Sequence, residues 1–270
     1  MEPRPRRRLA VRAARGVAVA LAVALGVLVA TVVLDRTVNR GRVAELANDA
    51  VPGADGAIHV YRAVPDGAGP HPGVVLIHEF WGLRPELTAK ADALAARGLH
   101  VVAPDTFRGT TVSWVPAAIW NVVTAPADRV EADLRAVVDA MHADARIDPQ
   151  RIAVVGFCYG GREALRYATG DDRLAGTAVF YGRPILEPER LAELSGPVLG
   201  VFGAEDRQIP VADVRAFEAA LEEAGVPARI VTFDGVGHAF VSDLEAVRAG
   251  GAAGEAWTEL ERWLDATLGR

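Results

Sequence analysis

Short, nearly unbroken apolar runs alternate along this chain with longer stretches whose apolar positions return every three or four residues. Val74 to His78, His100 to Ala103, Arg151 to Val155, Thr177 to Phe180, Val198 to Phe202 and Ile230 to Phe233 form the first set. Each is short and ends at polar residues, Gly or Pro, which predicts strands. Leu87 to Arg97, Ala127 to Ala143, Glu163 to Ala168, Val211 to Ala224 and Gly254 to Leu268 form the second set and predict helices. Within 127–143, Val130, Leu134, Val137, Val138 and Met141 make one helical stripe. Strands without a polar face, separated by helices, predict a mostly parallel sheet with helices on both faces, an α/β fold. Ile58 to Ala63 is expected to add an antiparallel edge strand.

The N-terminus breaks this rhythm. Arg4, Arg6, Arg7, Arg8, Arg12 and Arg15 crowd residues 1–15, and residues 16–34 then run without a charge. As a helix that run would be about 28 Å long, close to the ~30 Å hydrocarbon core of a bilayer. Arginines are denser before the run than after it, where Arg36, Arg40 and Arg42 follow. That asymmetry predicts a signal-anchor with its N-terminus in the cytoplasm and the rest outside. A cleaved signal peptide and a secreted product are the alternative, although their apolar regions are usually ~7–15 residues. The expected organisation is therefore a basic tail (1–15), a transmembrane segment (16–34), a stalk (35–51) and one α/β domain (52–270).

Composition narrows the chemistry. The chain has 270 residues, a net charge of −6 and one cysteine. It is long enough for a buried core, gives a nucleic-acid partner no general electrostatic support, and excludes an internal disulfide or a multi-cysteine metal site. His59, His71, His78, His100 and His142 show no metal-ligand spacing, so a bound metal is not expected. Lys90 is the one lysine beside 28 arginines, a bias that reads as genomic.

The single cysteine lies in Gly156-Phe-Cys158-Tyr-Gly160-Gly161, between a predicted strand and a predicted helix. This has the form of a nucleophile elbow with Cys in the place of Ser, and no Gly-x-Ser-x-Gly competes with it. The helix N-terminus beside the sulfur is expected to favour the thiolate. Taken alone, Cys158 is equally a small buried hydrophobe. Residues further along the chain change that balance. Asp206 comes after the strand ending at Phe202, and His238 after the strand ending at Phe233. Nucleophile, acid and base in that order, each after a strand, is the arrangement of the α/β-hydrolase fold. His238 is the expected base and Asp206 the group that orients it, with Glu205 and Asp234 as rival acids. Glu79 directly follows an apolar strand, where an apolar setting and a nearby thiolate would raise its pKa.

Five segments in this order resemble the dienelactone hydrolase family: His78-Glu79-Phe80-Trp81-Gly82-Leu83, Pro104-Asp105-Thr-Phe-Arg108-Gly109, Gly-Phe-Cys158-Tyr-Gly-Gly, Gly203-Ala-Glu-Asp206 and Gly237-His238-Ala-Phe240. The resemblance covers residues 55–270. It implies an α/β-hydrolase fold, a Cys158–His238–Asp206 triad, no metal or organic cofactor, and a small ester or lactone substrate. It also implies that Glu79 neighbours the resting thiol and helps control its ionisation, and that the backbone N–H groups of Tyr159 and Phe80 form the oxyanion hole. Trp81 and Arg108 are the expected substrate contacts. Family members that cleave dienelactones hold the substrate carboxylate with arginines, one of them four residues after the histidine. That position is Ser242 here, and Arg108 matches the other only approximately.

Residues 110–124 are apolar beyond the ordinary, with Val112, Trp114, Val115, Ile119, Trp120, Val122 and Val123. They are expected to form a lid or a surface touching the bilayer, or else a helix packed on the core. Three functions remain open: a membrane-anchored ester or lactone hydrolase, a general carboxylesterase or thioesterase for hydrophobic substrates, and a non-catalytic scaffold that binds a small molecule or a protein. Oligomeric state leaves no mark on the sequence.

Overall fold

The computed structural model describes residues 4–269, with side chains from residue 14 onward. Most of the basic tail expected over 1–15 thus lies outside the described side chains. In chain order the elements are α1 (Arg4–Val38), α2 (Arg42–Leu46), β1 (Asp49–Gly53), β2 (Gly56–Ala63), β3 (His71–Ile77), α3 (Pro85–Ala95), β4 (His100–Pro104), α4 (Val115–Thr124) and α5 (Ala127–Ala143). They continue with β5 (Ile147–Phe157), α6 (Tyr159–Ala168), β6 (Gly176–Phe180), α7 (Pro188–Leu191), β7 (Val198–Gly203), α8 (Val211–Glu223), β8 (Ala228–Phe233), α9 (Leu244–Ala249) and α10 (Gly251–Thr267).

The eight strands form one sheet in the order β1-β2-β4-β3-β5-β6-β7-β8. β2 pairs antiparallel with β1 and β4, and every other pairing is parallel. Alternation along β3 shows how both faces are covered. Val74 and Leu76 join the cluster made with α3 and α10, through Leu87, Leu94, Trp257 and Leu260. Val75 and Ile77 join the opposite cluster, with Val130, Leu134 and Val137 of α5 and Tyr167 of α6. A third cluster packs α8, through Val214, Phe217 and Leu221, on β6 and β7. Successive strand residues point to opposite faces, so a strand buried on both sides must be apolar throughout.

Two expectations shift. β2 is antiparallel, as expected, but β1 lies outside it and takes the edge. The sheet therefore begins at Asp49, inside the expected stalk, and α2 before it buries Val43. β1 buries only Val51 and carries Pro52 and Gly53, so its place rests on backbone pairing with β2 rather than on an apolar pattern. The 110–124 stretch becomes α4, which buries Ala117, Ala118 and Asn121 and leaves its larger apolar side chains exposed.

The bend between β5 and α6 depends on missing side chains. A Cβ on Gly156 would lie 2.0 Å from the Gly160 carbonyl oxygen, and one on Gly160 would lie 2.3 Å from that of Ile77. Backbone cannot yield as a side-chain tip can. Gly160→Ala is expected to destabilise the fold by about 3 kcal/mol or more, read from the urea midpoint. Gly170→Ala, where the nearest atom is 3.6 Å from the new Cβ, is expected to stay within about 1 kcal/mol of the wild type.

Candidate active site

Cys158 occupies the residue between β5 and α6 with φ 54° and ψ −113°, a conformation that side chains rarely adopt. Such strain costs on the order of 1–3 kcal/mol and persists only where the surroundings hold it. Here its N–H donates to the Phe180 carbonyl (2.9 Å) and its C=O accepts from the Arg162 N–H (3.2 Å). The sulfur is thereby turned off the sheet end toward the loops after β3, β7 and β8.

The β8 loop brings His238 to that sulfur. Its Nε2 lies 3.0 Å from Cys158 Sγ, and its Nδ1 lies 2.7 Å from Asp206 Oδ2. A carboxylate on Nδ1 fixes the tautomer, since Nδ1–H donates to it and Nε2 is left to accept. Asp206 is itself buried and held, its Oδ1 accepting from the N–H groups of Gln208 (2.7 Å) and Ile209 (3.1 Å). The acid and base loops are laced together by Ala204 N–H to Phe233 O and Glu205 N–H to Val236 O. Their approach needs Gly203, whose Cβ would meet the Val236 oxygen at 2.4 Å. The rivals Glu205 and Asp234 are exposed, and it is Asp206 that bonds the imidazole.

Charge around the sulfur is balanced closely. Burial and then the Glu79 carboxylate push the Cys158 thiol up to about 12, while hydrogen bonds from the backbone N–H groups of Tyr159 and Phe80 pull it down. Burial and the Glu79 carboxylate thus act against the thiolate that the helix N-terminus alone is expected to favour. Burial also raises the Glu79 carboxyl, offset by the positive charge of Lys90 and a bond from Tyr181. Tyr181 Oη is 3.4 Å from Glu79 Oε1 and 3.2 Å from the Val241 carbonyl, and its ring lies 5.2 Å from that of His238.

Most of the expected site residues therefore converge: Cys158, His238, Asp206, Glu79 and the backbones of Tyr159 and Phe80. Trp81 stands beside them, lining a cavity of about 190 Å³ with Glu79, Arg84 and Lys90. Arg108 is engaged elsewhere. Its guanidinium grips Asp133 through Nε (2.8 Å) and Nη2, while Nη1 donates to the carbonyls of Asp55, Gly56 and Ala57. Arginine in that turn ties the β1–β2 hairpin to α5, a partnership that spacing along the chain does not reveal. Among the described residues no group of three or more His, Cys, Asp or Glu is arranged to hold a metal ion.

Three supporting groups escaped the sequence reading. Lys90 is 2% exposed, and its Nζ donates to the carbonyls of Val241 (2.8 Å) and Ser242 (2.9 Å), just past His238. Its signal was present as the one lysine in an arginine-rich chain. Tyr181 sits at φ 40°, which no pattern announces. His78 is fully buried, with Nδ1 2.6 Å from the Glu79 carbonyl and Nε2 accepting from the Thr106 N–H (3.2 Å). Burial lowers its pKa, and its two hydrogen bonds brace the turn that presents Phe80.

A sequence model of the dienelactone hydrolase family matches residues 58–268. A provisionally named carboxymethylenebutenolidase of Methylorubrum extorquens is 29% identical over 227 residues, covering 79% of this chain and 78% of that one. A protein of the same provisional name from Escherichia coli K12 is 26% identical over 228 residues, covering 79% and 84%. The crystal structure of a provisionally named dienelactone hydrolase from Klebsiella pneumoniae superposes with a TM-score of 0.71 at 27% identity, covering 80% of this chain and 95% of that one.

The charge balance at the sulfur can be tested directly. Glu79 raises the thiol pKa, so Glu79→Gln is expected to lower it and leave more thiolate at any pH below it. Alkylation by iodoacetamide at pH 8 should then quicken by roughly three- to tenfold, the yield of up to about one pKa unit. The thiolate absorbance followed against pH gives the same shift independently.

Proposed function

The chain belongs to the dienelactone hydrolase family and is a hydrolase of ester or lactone bonds, and from that premise we propose a membrane-anchored enzyme working through a Cys158–His238–Asp206 triad. The observation that carries this reading is the unbroken relay from sulfur to imidazole to carboxylate, at 3.0 Å and 2.7 Å.

In the proposed mechanism the Cys158 proton passes to His238 Nε2 as the sulfur attacks the substrate carbonyl carbon. Asp206 holds the imidazolium that forms. The N–H groups of Tyr159 and Phe80, already aimed at the sulfur, turn to the new oxyanion, each contributing typically about 3 kcal/mol. The tetrahedral adduct collapses, the C–O bond breaks, and His238 gives its proton to the departing oxygen. A thioester remains on Cys158. Water, deprotonated by His238, attacks it, and the sulfur leaves with the proton returned by His238. Glu79 keeps the idle sulfur protonated, so that it ionises only when a substrate and the base act together.

The substrate reading favours esters and lactones without a carboxylate of their own. Ser242 stands where dienelactone-cleaving members carry an arginine, and the Arg108 guanidinium is engaged by Asp133 and three carbonyls. Hydrophobic carboxylic esters and thioesters are thus ranked above an anionic dienelactone.

Residues 16–34 supply the anchor in this reading. They lie in one helix whose apolar side chains from Val17 to Val29, such as Val19, Leu21, Val23 and Leu25, are exposed. The arginines before them hold the N-terminus in the cytoplasm and leave the hydrolase domain outside.

Two outcomes are expected. On a panel of activated aryl esters, a thioester and a dienelactone, Cys158→Ala should lower kcat/KM by roughly 10³-fold or more, with the uncharged substrates preferred. Turnover that survives both this substitution and iodoacetamide would remove Cys158 from the role. Separately, the full chain should stay with membranes through alkaline carbonate washing, and protease added outside intact spheroplasts should digest the hydrolase domain. Release into the wash would point to a cleaved leader.

A further inference from the structure

Helix α4 carries an apolar face that nothing among the described residues covers. Trp114, Val115, Ile119, Trp120 and Val123 are all exposed, the last two at 53% and 76%. No charged residue occurs between Arg108 and Asp128, so this face lacks the polar relief of an ordinary surface helix.

Its position is set by α1. Ser113, at the start of α4, donates from its N–H to Asp35 Oδ2 (3.1 Å) and from Oγ to Asp35 Oδ1 (2.7 Å). Two turns later, Asn121 Oδ1 accepts from Arg36 Nη1 (3.0 Å). Between them, Ala117 and Ala118 pack with Val32. Asn39 Nδ2 also donates to Ser113 Oγ (3.3 Å), so residues 113–121 are held against residues 32–39 at the C-terminal end of α1. This contact begins at Val32, where the uncharged run 16–34 ends.

We propose that the outer face of α4 lies in the lipid–water boundary of the bilayer, level with the end of the α1 span. The inference rests on the anchored reading above. A helix held against the end of a membrane-spanning segment is held near the boundary plane. Tryptophan suits that boundary because its ring is apolar and its N–H is polar. Val33 and Leu34, at the end of the uncharged run, are also exposed, and exposed Arg40 beyond them offers positive charge to anionic headgroups. The buried side of α4 belongs to the cluster that holds Phe80 and Trp81, so the lipid-facing helix borders the mouth of the site.

The test uses the full chain in vesicles of phosphatidylcholine and phosphatidylglycerol, with or without lipid brominated near the headgroup end of its acyl chains. Two of the five tryptophans lie on the proposed face. Bromolipid should therefore quench roughly a third of the emission or more. Trp114→Phe/Trp120→Phe should lose most of that quenching with its thermal midpoint unchanged, and Val123→Trp should increase it. Vesicle flotation is read first. A chain that does not float overturns the anchor and this inference together. A chain that floats, yet whose emission ignores the bromolipid or is quenched equally in the double variant, overturns the inference alone. So does a concentration-dependent dimer that forms through α4 in place of lipid quenching.

Discussion

A sulfur taken out of water cannot ionise unless a base touches it and donors wait for the charge. Everything at the sheet end of this protein serves that constraint. Desolvation and a neighbouring carboxylate raise the Cys158 thiol pKa, and in the proposed mechanism the contact with His238 at 3.0 Å carries its proton to a group that the same fold keeps oriented. The two N–H groups that offset burial at the sulfur are the ones proposed to receive the tetrahedral oxygen. In that reading ground-state restraint and readiness for the transition state come from the same few atoms.

The constraint reaches into the backbone. A residue at φ 54° with a side chain is tolerable only if its neighbours leave no alternative, and the elbow achieves this through closeness. Gly156 and Gly160 let the chain fold onto itself and onto β3, and Gly203 lets the acid loop meet the base loop. Each glycine removes a Cβ from a place already filled by backbone. The α/β architecture delivers nucleophile, acid and base to one edge because successive parallel strands end there, and the glycines bring the last few ångströms.

Legibility in the sequence followed the same division. Strands buried on both faces were plain, because an apolar run is the only sequence such a position accepts. α5 was read to its ends, since Val130, Leu134, Val137, Val138 and Met141 repeat along one face. The meeting of Cys158, Asp206 and His238 could be read from order alone, because each follows a strand that was itself legible. β1 could not be read, since it buries one side chain and depends on pairing with a strand further along the chain. Arg108 misled for a related reason. The family resemblance suggested a substrate contact, but Asp133, which claims the side chain, comes from α5, and only the three-dimensional packing brings that carboxylate within reach. Tyr181 left no trace, because a strained tyrosine at a strand end looks like any other aromatic.

Lys90 was visible and misread, and the reason is physical. Where arginine fills nearly every basic position, a lysine records a place that a guanidinium does not suit. The Nζ of Lys90 sits 4.4 Å from the centroid of the Phe157 ring and donates to two carbonyls of the loop that carries His238. An ammonium can do this because it is a compact charge whose three donors point in separate directions. A planar fork would have to lie flat in the same buried space and find parallel acceptors, and two successive carbonyls do not offer them. Burial lowers the lysine's pKa while the Glu79 charge raises it, and burial raises the glutamate's while Lys90 lowers it. Each charge thus opposes the effect of burial on the other. The lysine that steadies the loop carrying His238 therefore also acts on the carboxyl that raises the thiol pKa, which links the setting of the sulfur to the position of the imidazole beside it.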